Sequence, residues 1–364
     1  MKKVYIALVV IAVAIGGWLV SQKGESTIGS SADSTSPDRN VQSGVPINKV
    51  SQIPNQRDPR LIPPGTGDAS NDSAIFIDEE GIENIRPAST MYASADQALQ
   101  AVLKGARDFD DSILEQFTEP GSDCSWCPEF YSLVQENLLN PSTPQDQKSY
   151  LAEVLAISGR TDNIQILVDS IKNAASSTDA DIYAEALELS LGDDSITRVL
   201  GEQLVSTNDT LREASVAAIT NQGTLLAAEL LQKHIEQRND PDAYYAVGIG
   251  PGEFIPEESA LPFVQEQVAK RDQYSPMWAK ALINTGIDGV RMLFDQLEIS
   301  NSPASDTALL KDAIDHVNFE DGIKELTDQI IASSRNSAAI DFAKQIQSEL
   351  IAADLDDMDG MTVP

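Results

Sequence analysis

The residues with the clearest reactive potential are Cys124 and Cys127 in Cys124-Ser125-Trp126-Cys127, the only two cysteines among 364 residues. Two cysteines at this spacing pair in an oxidising compartment. Pro128 sets Cys127 near a helix N-terminus, where a thiolate is favoured. The pair is read as a structural disulfide that staples a loop. A redox-active pair is the alternative, because thiol–disulfide oxidoreductases use the same spacing, although the βαβ context of a thioredoxin is missing. Pro128 also stands where a CxxCH haem site needs His. His234 in LLQKHIEQ and His316 in AIDHVNF have no second His at i+3 or i+4, so HExxH-type zinc chemistry is not indicated. Both are expected at helix-surface or packed boundary positions. The pairs Asp110-Asp111, Asp193-Asp194 and Glu257-Glu258 carry little meaning among 57 carboxylates and are read as solvated surface. In the stretch Asp354–Gly360, Leu355 stands where a calcium loop needs its first ligand. The glycines of GIGPGEFIPE (248–257) lack a P-loop lysine, and there is no GxSxG elbow. No catalytic, cofactor-binding or metal-ligating residue is assigned, and the chain is not read as an enzyme.

Charge narrows the field further. Twenty-five basic residues face 57 acidic ones, a formal net charge of −32. Such a chain repels phosphate backbones, so no nucleic-acid partner is expected. Two Cys and two His cannot supply a multi-zinc module or an iron–sulfur protein. Aromatic residues make up 5%, too few for a sugar- or base-stacking cleft, and no small-molecule substrate is expected. Most of the excess sits in residues 93–364, which hold 17 basic and 47 acidic residues.

The elements that would position these groups divide the chain into five parts. Residues 1–22 begin with Met1-Lys2-Lys3 and continue through 17 uncharged residues, Val4 to Val20. This is read as a signal-anchor transmembrane helix that leaves Lys2 and Lys3 in the cytoplasm and exports the rest. A cleaved signal peptide is the alternative, but no small-x-small site follows. Residues 23–92 are read as a disordered tether, rich in Ser and carrying Pro37, Pro46, Pro54, Pro59, Pro63, Pro64 and Pro87. As a random coil its ends would average about 50 Å apart. Within it, Ala74-Ile75-Phe76-Ile77 is read as a weakly ordered patch, with a strand or docking motif as alternatives. Residues 93–144 form an irregular N-terminal cap, with helices expected at 94–108, 110–118 and 129–138.

From 145 to 353 apolar residues recur at i, i+3, i+4 and i+7, and the helical blocks pair. Pair starts are expected near Gln145, Thr178, Asp209, Asp240, Gln273, Ser305 and Asn336, a period of about 32 residues. The octets AEVLAISG, VAAITNQG and AKALINTG end at Gly159, Gly223 and Gly286, with Leu155, Ile219 and Leu282 four residues earlier. Each glycine is expected to close the first helix in a left-handed conformation. Thr161, Asp194 and Asp288 are the expected N-caps of the second helices. Residues 354–364 are expected to be a frayed acidic tail. The pattern resembles the short HEAT-like helical repeats at the level of class. The fold class is therefore all-α, an α-solenoid of stacked helical hairpins, since a hairpin of this size cannot bury both apolar faces alone.

This resemblance implies an interaction platform. The chain is read as a single-pass inner-membrane protein whose C-terminal domain is periplasmic. There it would serve as a scaffold or adaptor for a protein partner carrying a basic segment. The alternative function is an envelope thiol–disulfide or redox-regulated protein using Cys124 and Cys127.

Overall fold

The computed structural model describes residues 75–77, 83–85, 88–118, 125–239, 250–300 and 302–359. Val4–Val20 lies outside these residues; among them, no helix is long and apolar enough to cross a membrane. Two short strands, β1 (Ile75–Ile77) and β2 (Glu83–Ile85), pair antiparallel with Ile75 opposite Ile85. A four-residue helix, α1 (Ala88–Met91), follows. Regular structure thus begins before the boundary expected at 93, inside the span assigned to the tether.

The remaining regular structure among the described residues is helical. α2 (Ala95–Asp108), α3 (Ser112–Glu115) and α4 (Cys127–Leu138) form the N-terminal part. α3 is a single turn, shorter than the 110–118 helix expected. Then come α5 (Gln145–Ile157), α6 (Thr161–Lys172), α7 (Ser177–Glu188), α8 (Asp194–Gln203), α9 (Asp209–Thr220) and α10 (Leu225–Arg238). After the segment 240–249, outside the described residues, the chain continues as α11 (Leu261–Lys270), α12 (Ser275–Ile283), α13 (Ile287–Glu298) and α14 (Pro303–Leu309). A 3-10 turn (Ile314–His316), α15 (Ile323–Ser333) and α16 (Ser337–Asp359) complete it. α16 runs through Asp354–Asp359, so this part of the expected frayed tail is helix.

Contacts follow chain order. α7 packs on α5, α6 and α9, while α8 packs on α6, α9 and α10. Further along, α12 packs on α11, α13 and α14. A helix with neighbours on three sides must be apolar on most of its surface. α5, α9 and α12 meet that demand with small residues between large ones: Ala152 and Ala156, Ala214 and Ala218, Ala279 and Ala281 are all buried. The helices that directly follow α5 and α12, α6 and α13, bury one stripe (Ile164, Leu167, Val168 and Ile171 on α6) and expose the other side. The largest buried side chain, Trp278 on α12, lies edge-on to Phe254 and Phe263 at 5.9 and 5.6 Å. Its Nε1 donates to Gln232 Oε1 at 2.6 Å, which satisfies the one polar atom the ring carries inside.

Polar ties link turns about one hairpin apart. Asn221 Nδ2 donates to Glu188 O (3.0 Å), Gln222 Nε2 to Ser190 O (2.5 Å), and Asn284 Nδ2 to Gly252 O (3.0 Å). Glu257 N–H donates to Gly223 O at 2.8 Å. Gly159, Gly223 and Gly286 all have positive φ, at 66°, 71° and 83°. At Gly223 and Gly286 the residue lies three positions past the first helix, so it turns the chain into the second helix rather than capping the first. A Cβ on Gly223 would stand 2.8 Å from Ile255 O, so both conformation and space require glycine there.

The expected N-caps shift by one or two residues. Asp193, not Asp194, caps α8 by accepting Ser195 N–H at 2.8 Å. Arg160 precedes α6, whose first residue is Thr161, and neither side chain caps it. Gly286 precedes α13, whose first N–H (Ile287) is taken by the Glu320 carboxylate from beyond α14. Asp288 instead pairs with Arg291 at 2.7 Å.

One buried ionic knot joins the C-terminal helices. Asp306 on α14 is fully buried and accepts from Arg271 Nε (3.1 Å) and Asn336 Nδ2 (2.8 Å). Arg271 also donates to Val268 O and Gln296 O, and Asn336 to Leu297 O. Removing the carboxylate would leave a largely buried guanidinium without its counter-charge. Asp306→Ala is expected to cost about 3 kcal/mol, read as a lower urea midpoint, whereas Lys104→Ala, at an exposed ion pair, leaves the midpoint unchanged.

Candidate functional site

Two places gather the chemistry. At the first, Cys127 opens α4 and is disulfide-bonded. Cys124, the chain's only other cysteine, lies outside the described residues. The residue before Cys127 is Trp126, whose Nε1 donates to Tyr92 O at 3.0 Å. Trp126 meets Phe130 edge-on at 5.8 Å, Phe130 stacks on Phe117 at 5.0 Å, and Phe117 faces Tyr92 at 6.3 Å. Tyr92 OH donates to Gln116 Oε1 at 2.7 Å, and Ala88 N–H donates to Gln116 O at 2.8 Å. Tyr131 carries the Arg160 guanidinium over its ring at 5.4 Å. The motif is thus embedded in an aromatic cluster that holds α1 and Tyr92 against α3 and α4.

The second place is a face shared by α5 and α7. Asp111 accepts a hydrogen bond from Tyr150 OH, and Glu153 accepts one from Ser149 at 3.0 Å. Burial pushes the Glu153 carboxyl up to about 7, and the nearby charges of Asp111 and Glu185 push the same way. Glu188 is likewise raised to about 7, by burial and by Glu185. Glu185 itself is raised by burial and by Asp181. Partly desolvated carboxylates that repel one another favour a proton over ionisation near neutral pH.

Toward the other end, Lys280 on α12 occupies the position, six residues before its turn glycine, that Glu153 occupies on α5. It is buried, and burial lowers its pKa against the opposing pull of Asp312, Glu253 and Asp315. His316 Nδ1 lies 3.1 Å from Asn284 Oδ1. Burial brings His316 down to about 4, as it does the buried His234, so both imidazoles are neutral at physiological pH. The described part of the long connection, 250–257, is pinned inward by Phe254, and Gly250 N–H donates to Thr220 Oγ1 at 3.0 Å.

The acidic pairs have local structural partners: Asp111 holds Tyr150, Asp193 caps α8, and Asp194 pairs with Arg198 at 3.6 Å. Among the described residues, no group of three His, Cys, Asp or Glu is placed to hold a metal ion. Glu153, Glu185, Glu188 and Lys280 belong to no local motif, and reading for motifs missed them. The offsets of Glu153 and Glu185 from their turn glycines, six residues before Gly159 and seven before Gly192, differ by one, so the turn alignment does not pair them. Comparison with protein-family models, with curated proteins and with solved structures found no match.

Carboxyls that titrate higher in the folded state favour folding at low pH and lose that contribution as pH rises from about 4.5 through about 7. Glutamine mimics the protonated form. The Glu153→Gln/Glu188→Gln protein is therefore expected to unfold at higher urea than the parent at pH 8. The two midpoints should converge at pH 4.5.

Proposed function

We propose that this chain is a membrane-anchored extracytoplasmic scaffold that holds a protein partner through a basic segment laid on the carboxylate face of α5 and α7. The observation that carries the reading is the group Asp111, Glu153, Glu185 and Glu188, in which burial raises all three glutamates and the Glu185 charge adds to the rise at Glu153 and Glu188. An incoming Lys or Arg would relieve that repulsion and release protons. The arrangement we infer for the helices is an α-solenoid of the HEAT-like class. Several features support it: first-helix starts at Gln145, Ser177 and Asp209, contacts confined to helices close in the chain, and polar ties about one hairpin long. The outer side of α16 is polar, with Asp341, Lys344, Gln345, Ser348 and Glu349 exposed, as the last unit of a stack requires. The anchor and inner-membrane location rest on the uncharged run Val4–Val20 after Lys2 and Lys3.

Crosslinking and co-purification of the intact protein from membranes tests this. A partner is expected that elutes as salt rises, is lost from the Glu153→Gln/Glu185→Gln/Glu188→Gln protein, and is retained by the Cys124→Ser/Cys127→Ser protein. A partner insensitive to both salt and the glutamine changes would sink the proposal. Loss from the cysteine variant alone would instead favour the thiol–disulfide function.

A further inference from the structure

We infer that the edge of the domain opposite the glycine turns docks on lipid, seating Leu139, Val205 and Ile299 in the headgroup zone of a zwitterionic bilayer. The turns lie together on one edge, because hydrogen bonds link each to the next. Leu191 N–H donates to Ala156 O, Gln222 to Ser190 O, Glu257 N–H to Gly223 O and Asn284 to Gly252 O, while Glu320 takes Ile287 N–H. A helix of 12 residues, such as α6 or α13, carries the chain about 18 Å from that edge. The breaks after α4, α6, α8 and α13 therefore gather on the far edge. Ties bind this edge too: Lys148 pairs with Asp179 at 2.7 Å, Gln273 donates to Asn239 at 3.3 Å, and Asn336 donates to Leu297 O at 2.7 Å.

The two edges differ in charge and in what they expose. Asp162, Asp193, Asp194, Glu257, Asp288 and Glu320 stand at the turns. On the far edge the stretches 137–145, 173–178, 203–208, 299–300 and 302–305 hold no charged residue. The first carboxylates after three of these breaks are neutralised, Asp179 by Lys148, Asp209 by Arg212 and Asp306 by Arg271. Charge interrupts the edge at Asp146 and at Arg271-Asp272. Val205 and Ile299 are 74% and 73% exposed and Leu139 51%, whereas Leu225, Ile255 and Phe319 on the turn side reach 38–41%. Phe109 shares the far edge but stands between Asp108 and Asp110, so it is not counted with the three.

Charge selects the occupant. A basic partner is drawn to carboxylates and gains nothing on an uncharged edge. A second copy brings its own formal −32 toward a surface with no opposing charge. A zwitterionic lipid surface demands neither sign. It also asks for no contiguous patch, since each apolar tip enters separately among the lipids. The hydroxyls of Ser206, Thr207 and Ser300, beside the tips, supply donors for phosphate and ester oxygens. The inference takes from the anchored reading only that a bilayer lies within reach.

Photolabelling of the full chain, reconstituted in phosphatidylcholine vesicles, tests this. The probe is a phosphatidylcholine carrying a diazirine near its ester, and labelled peptides are mapped by mass spectrometry. Peptides holding Leu139, Val205 and Ile299 are expected to carry roughly tenfold more label than those holding Gly223 and Gly286. Leu139→Ser/Val205→Ser/Ile299→Ser should lose that label and keep the parent's urea midpoint, because these side chains already face solvent. Label on 4–20 reports the anchor separately. Label on 4–20 alone would overturn the docking edge and leave the anchor standing. Label on the three loops without 4–20 would uphold the edge and sink the anchor. Equal label at turns and loops, or none at either, would overturn the edge. So would unlabelled loops in a protein that light scattering finds dimeric in detergent and monomeric as the triple variant, an outcome that assigns the edge to a second copy.

Discussion

The fold depends on one constraint: its first helices are apolar on too many sides to exist except between neighbours. α9 exposes little beyond its first turn and Glu213, and α12 buries eight of its nine residues. In isolation such helices would present broad apolar surface to water, at a cost of about 1.5–3 kcal/mol for each large side chain. Alanines between the large residues bring the flanking helices close, and the amphipathic second helices cover what remains. Every other feature, from the turn glycines to the polar ties, adjusts how closely these layers approach.

This constraint also shapes the electrostatics. A carboxylate on a first helix is half enclosed by the helices on either side, so it is desolvated without being placed in the core. Glu153 and Glu188 are raised for that reason, and Lys280 is lowered for the same reason with the opposite sign. Exposed carboxylates elsewhere act locally, as Asp193 does in capping α8 and Glu320 in taking the first N–H of α13. The charge surplus is thus spread over the domain, while its chemical effect is concentrated where packing removes water.

Much of this architecture was legible in the sequence, because helix period and turn glycines are local signals. The starts of α5 and α9 at Gln145 and Asp209 fall where the period put them, and α7 begins one residue before Thr178. The caps shifted because a cap is fixed by side-chain geometry. Asp193 and Asp194 are equivalent on paper, and only one reaches Ser195 N–H. The use of Glu320 at the head of α13 was not legible, since the cap comes from 33 residues away. Nor was the buried Arg271–Asp306–Asn336 knot, whose members are ordinary surface residue types until three helices close around them. The acidic stretch after 353 reads as a helix breaker by charge alone, yet α16 carries through it.

The ties between turns have a consequence for how such a chain can change over generations. Asn221, Gln222 and Asn284 donate to main-chain carbonyls, which every residue possesses, and not to particular side chains. These three ties therefore depend on the register of the neighbouring turn and not on its side chains, unlike the Glu320 cap and the Asp306 knot. Duplicating or deleting a whole unit would leave every tie with an acceptor, whereas inserting one residue into a helix would misalign the ties on both sides. In the repeat arrangement proposed above, substitutions in a turn that only supplies such a carbonyl would leave its tie intact.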